Sequence, residues 1–204
     1  GKINIKILGR TIMSKERTMA FTDAILAIVM TILVLELNEP EQMTWSGIWA
    51  LHESYLAYAL SFFWLGTLWV GLHNEWQHVK MIKTSTLWMN LIVLFWASLF
   101  PYTTKLVSDH FNNSVAQVLY GVVVVLTTVF NLLLSRTLVI ENPQERAKSR
   151  FRQHWLSLDL LIKLVGLVLS LTVYPPAAMY SVLLTACAIA IPSHVIESLQ
   201  GQKE

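Results

Sequence analysis

The stretch Thr18-Met-Ala-Phe-Thr-Asp-Ala-Ile-Leu-Ala-Ile-Val-Met-Thr-Ile-Leu-Val-Leu-Glu-Leu37 decides how this chain folds. Its length matches the roughly 20 helical residues, at about 1.5 Å each, that cross a bilayer core of about 30 Å. From Ala24 to Leu35 the only polar side chain is Thr31. A segment inside lipid must satisfy its backbone hydrogen bonds itself or in a closed barrel, and the alternating ten-residue pattern of a barrel strand is missing. The stretch is therefore a membrane-spanning helix, and Asn38-Glu39-Pro40 ends it.

Five further apolar stretches follow, at Leu51–Gln77, Thr86–Val107, Val115–Leu138, Trp155–Tyr174 and Ala177–Ile196. Asn142-Pro143 and Pro175-Pro176 mark the turns after the fourth and fifth. The 204 residues are 54% hydrophobic and 14% charged, against about 25% charged in soluble chains. The expected fold is an all-α integral membrane protein with six transmembrane helices in a single domain over residues 1–204, with 1–16 as an amino-terminal segment and 197–204 as a tail. Lysine and arginine set its orientation: 13 of the 15 basic residues fall on one side, which predicts cytoplasmic termini. A net charge of +2, segregated in this way, gives no basis for nucleic-acid binding. The single Cys187 excludes an internal disulfide or a cysteine zinc cluster. No Gly-rich phosphate loop, nucleophile elbow or zincin spacing occurs, so neither an enzyme nor a cofactor is expected.

Ionisable groups inside a bilayer cost about 2.5–3.5 kcal/mol each at a helix centre and need a reason. Counted inward from the cytoplasmic border, Asp23, His73, Asn90 and Asp159 each lie about four or five residues deep, a common layer roughly 6–8 Å below the surface. Arg17 lies just under it. Such a layer serves either as interhelical glue or in conduction and proton sensing. Asp159 and Lys163, at i and i+4, form either a structural ion pair or an ion-binding pair. On the first helix, at about 100° per residue, Ala24, Ile28, Thr31, Ile32 and Leu35 share one narrow stripe, and Asp23 projects about 140° from Ile28. That stripe suits a lipid-facing or core surface as well as a pore.

The run Arg17-Thr-Met-Ala-Phe21-Thr22-Asp23 resembles the R-x-x-x-F-S-D signature that opens the first helix of the transmembrane protein 175 family, the endosomal and lysosomal potassium channels and their prokaryotic relatives. Thr22 replaces the usual serine and keeps its hydroxyl. Trp69 and His73 resemble the W-x-x-H-H stretch of the second helix, with Leu72 in place of the first histidine, and Leu87-Trp88-Met89-Asn90-Leu91 with Leu99-Phe100-Pro101 resembles the third.

The resemblance implies a potassium-permeable cation channel. A single six-helix chain resembles the prokaryotic form, a homotetramer in a bacterial plasma membrane whose first helices line the pore. It implies an apolar constriction at Ile28, with Ile32 and Leu35 as further rings, and a structural network of Arg17, Phe21, Thr22, Asp23, Trp69, His73 and Asn90. Apolar rings gate by dewetting. Thr31 beside them would meet potassium transiently, with modest preference over sodium. The partners expected are three further copies, membrane lipid and potassium ions. The alternative is a proton-conducting channel or proton-coupled transporter that uses the intramembrane Asp/His layer.

Overall fold

The computed structural model describes residues 15–79, 82–143 and 146–187. The first span is helix α1 (Lys15–Ile32), which tightens into a 3-10 turn at Leu33–Glu36. A loop and the short helix α2 (Trp45–Ala50) lead into α3 (His52–His78), α4 (Thr84–Ser98), α5 (Phe100–Asp109), α6 (Ser114–Glu141) and α7 (Arg146–Thr172). A last described helix, α8, covers Ala177–Cys187. Five spans are long and apolar enough to cross a membrane: Lys15–Glu36, His52–Gln77, Thr84–Asp109, Ser114–Glu141 and Gln153–Thr172. The protein is an all-helical integral membrane protein, with no strand among the described residues. The second half of the expected sixth span, the amino-terminal segment to residue 14 and the tail lie outside the described residues.

Two expectations need correction. The third span is not one helix: α4 stops at Ser98 and α5 starts at Phe100, with Pro101 in its first turn. Proline has no N–H to give the carbonyl of Ala97 four residues back, and its ring crowds that carbonyl, so the helix breaks there. Trp76, near the end of the second apolar stretch, where the sequence alone predicts an interfacial aromatic anchor, is instead 1% exposed in the core. Trp45 and Trp49, on the short α2 between the first two spans, are 88% and 75% exposed, as interfacial anchors are.

The long α6 forms the centre of the bundle, against α4, α5 and α7. Asn113 caps it, its side-chain oxygen accepting from the N–H groups of Val115 and Ala116 (2.9 and 3.3 Å). Its far end returns the favour to α4, since the Glu141 carboxylate accepts from Lys83 N–H and Ser85 Oγ (both 3.1 Å). Lipid supplies no hydrophobic drive between helices, so packing relies on close approach and polar contacts. Thr104 donates to Ser61 (2.8 Å) and Ser61 to the Tyr120 hydroxyl (3.3 Å), which ties α5, α3 and α6 together. At Gly166 a side chain would meet Ser181 Oγ at 2.3 Å and Ala177 O at 3.0 Å. Gly166→Leu is therefore expected to push α8 off α7 and cost about 1–3 kcal/mol as an overpacked contact, measurable as a lower unfolding temperature in detergent.

Candidate functional site

The first helix is held on one face only. Thr18, Thr22, Leu26 and Val29 are buried, as is Leu33 in the 3-10 turn. Their spacing of three and four residues makes the stripe that packs on α3, α4 and α5. On the opposite face Ile28 is 57% and Leu35 78% exposed, with Ile32 and Phe21 partly so. Leu35 lies in the 3-10 turn, where each residue advances about 120° rather than 100°, and it still points within about 40° of Ile28. Beside this bulky track runs a second one, the exposed Ala20, Ala24, Ala27 and Thr31, about 80° around the helix. Thr31 Oγ1 donates to Ile28 O (2.9 Å), which leaves the lone pairs of that oxygen available to a cation.

Polar residues expected in one network are brought together as two contacts on different sides of α1. Asn90 Nδ2 donates to Thr22 Oγ1 (2.8 Å), and Thr22 donates to Thr18 O (2.9 Å), which joins α1 to α4. Trp69 Nε1 donates to Asp23 Oδ1 (2.8 Å), which joins α1 to α3. The His73 ring lies 5.6 Å from that of Trp69, and Gln77 Nε2 donates to His73 Nε2 (2.7 Å). Lys15 Nζ closes this side by donating to Gln77 O (3.1 Å). Arg17, in the first turn of α1, is engaged as well. Phe21 has no role in either contact; it is 46% exposed on the bulky track. Lys15 and Gln77 were missed because a basic residue and an amide at a membrane border read as ordinary interfacial groups. Asn90→Leu, which removes the α1–α4 bond and leaves Thr22 buried without it, is expected to cost about 0.6–1.7 kcal/mol, read by thermal unfolding.

Asp159 does not join these contacts. It pairs with Lys163 (2.6 Å), whose Nζ also donates to Thr128 Oγ1 (3.1 Å) and sits 4.8 Å from the centre of the Trp64 ring. Both partners are buried, at 6% and 3% exposure, among α7, α6 and α3. Of the two readings open from sequence, this geometry is that of a structural ion pair. Trp64 and Thr128 complete it, and nothing in their own neighbourhoods of sequence marks them. The described residues contain no cluster of His, Cys, Asp and Glu able to hold a metal.

A bundle of long apolar helices, whose first member is bound by its own subunit on one face and turns a hydroxyl-bearing apolar face outward, defines a polytopic helical membrane protein. The family described as endosomal/lysosomal potassium channel TMEM175 matches residues 17–101. A potassium channel of Chryseobacterium sp. (strain P1-3) is 34% identical over 192 residues, which cover 91% of this chain and 97% of that one. A potassium channel of Streptomyces collinus is 30% identical over 117 residues, 53% of this chain and 57% of that one. In fold, the chain is similar to the crystal structure of a lysosomal potassium-selective channel TMEM175 homolog from Chamaesiphon minutus, with a TM-score of 0.67 at 21% identity over 85% of this chain and 97% of that one. The chain belongs to the TMEM175 potassium channel family, a family of channels and not of enzymes.

Proposed function

We propose that the protein is a potassium-permeable cation channel, a homotetramer in which four copies of α1 surround an axial pore. The observation that carries this reading is the face of α1 left uncovered by its own subunit. A track of small residues in mid-span suits close approach of another helix better than contact with lipid alone. The middle of α7 makes the contrast: between Leu158 and Leu171 its exposed residues, among them Leu161, Leu164, Val165 and Val168, are all aliphatic, and its exposed hydroxyls, Ser157 and Thr172, lie outside that stretch. On α1 the track of Ala20, Ala24 and Ala27 lets a neighbouring helix approach closely, and that places the bulky track toward an enclosed axis, with Thr31 at its edge, about 60° from Ile28. The likeness to the Chryseobacterium potassium channel over nearly the whole of both chains supports potassium as the ion.

On this reading Ile28 forms the narrowest ring, Ile32 and Leu35 form apolar rings toward the outside, and the neck closes by losing its water. Four Thr31 hydroxyls, each already donating to a backbone carbonyl, offer oxygens that replace part of the hydration shell of a passing potassium ion. Hydroxyl dipoles discriminate less than stacked carbonyls, so potassium is preferred over sodium modestly. Arg17, Thr22, Asp23, Trp69, His73 and Asn90 anchor the back of α1. The termini are cytoplasmic and the membrane is a bacterial plasma membrane. Purified protein in liposomes tests the reading under separate potassium, sodium and proton gradients. Potassium flux exceeding sodium flux supports it. Flux that follows only the pH gradient in potassium-free solution would replace it with proton conduction through the Asp23 and His73 region.

A further inference from the structure

Among the buried polar atoms of the described residues that make no hydrogen bond within the protein are six on α1, α4, α6 and α7: Thr18 Oγ1, Thr86 Oγ1, Asn90 Oδ1, Asn131 Oδ1, Ser135 Oγ and Asp159 Oδ1. Each of these residues is at most 6% exposed. They belong to four helices, and the contacts between those helices fix their relative heights. Glu141 meets Lys83 and Ser85, so α4 starts where α6 ends and the two run antiparallel. Ser135, six residues back from Glu141, then stands level with Asn90, five residues on from Ser85. The bond from Asn90 to Thr22 sets α1 beside α4, and one turn toward the cytoplasmic end of both puts Thr18 level with Thr86. The bond from Lys163 to Thr128 sets α7 against α6, and one turn in the same direction puts Asp159 level with Asn131 and its neighbour Leu132. The six atoms therefore share a narrow range of height, within about two turns, on helices that pack in the order α1, α4, α6, α7, from the buried back of α1 to the Asp159–Lys163 pair.

Buried groups of this kind are rarely left unmet, because an unmade hydrogen bond costs more than a made one gains. Being buried within one chain, they are out of reach of lipid and of a second subunit. The chemistry of the set indicates what meets them. Carboxylate and amide oxygens at positions 159, 131 and 90 only accept, whereas the hydroxyls at 135, 86 and 18 both donate and accept. A water molecule supplies two donors and accepts in turn, and buried waters typically bind about three such groups. We infer that each subunit holds a chain of ordered waters in this seam, which hydrates the free oxygen of Asp159 and links the buried ion pair to the helix that carries the pore face.

The sign of a stability change tests it. If the seam is hydrated, Asn131→Leu and Ser135→Ala each break bonds to water and lower the unfolding temperature of the full-length channel by about 2–4 °C. If it is dry, both substitutions remove an unmet polar atom at nearly constant shape, and the temperature stays the same or rises; that result overturns the inference. Should either variant fail to fold, a structure of the unmodified channel at water-resolving resolution decides. Ordered water within about 3.2 Å of Asn131 Oδ1, Ser135 Oγ and Asp159 Oδ1 supports the seam. Direct side-chain bonds closing the same groups exclude it.

Discussion

Ile28→Asn is expected to raise basal potassium flux through the reconstituted protein at least about tenfold, the effect of lowering a barrier by about 1.4 kcal/mol. In the proposed tetramer this change puts four amides where four branched hydrocarbons closed the neck. Amides hold water, so the state with a dry neck loses its advantage. Ile28→Leu keeps the apolar ring and is expected to leave basal flux low. The position suits the test because Ile28 is 57% exposed in the subunit and carries no buried packing whose loss would unfold the protein. An unchanged flux in Ile28→Asn, with normal assembly, would take Ile28 out of the gate.

The largest expected loss of stability follows from Lys163→Met. The ammonium of Lys163 and the carboxylate of Asp159 are 2.6 Å apart, with side chains 2% and 6% exposed. Removing one charge strands the other in a low-dielectric interior, which costs about 3–5 kcal/mol. Replacing both, as Lys163→Met with Asp159→Leu, leaves no stranded charge and is expected to recover most of that loss. Thermal or denaturant unfolding of the wild type, the two single variants and the double variant measures the coupling. Additive losses in the double variant would mean that the two groups do not depend on each other.

Much of the architecture was legible because lipid leaves a chain few choices. The run from Ala24 to Leu35 had to be helical, and the apolar lengths that follow had to span. The features that escaped depend on which neighbour a side chain meets. Pro101 entered the sequence reading only as part of the third-helix resemblance, because apolar content on both sides of it hid the division into α4 and α5. Depth alone put Asp23 and Asp159 in one layer. Depth says nothing about azimuth, and the helices turn them toward Trp69 and Lys163 respectively. Leu72, where the family signature has a histidine, is packed in the core at 1% exposure, and Gln77 one turn further on serves His73 instead. The two tracks on α1 were half legible. Angular spacing grouped Ile28, Ile32 and Leu35, but only the packed subunit separates a face that is covered from one that is not.

At the carboxyl-terminal end of the first span Lys105 donates to Asn38 Oδ1 and pairs with Asp109 (3.2 Å), while Asn38 Nδ2 donates to Asp109 (2.6 Å). This three-way clasp fastens the chain just beyond Leu35 to α5, the half-helix that Pro101 frees from α4. The clasp therefore couples that end of the first span to one half of the third: a displacement of either must carry the other or break the contacts of Lys105.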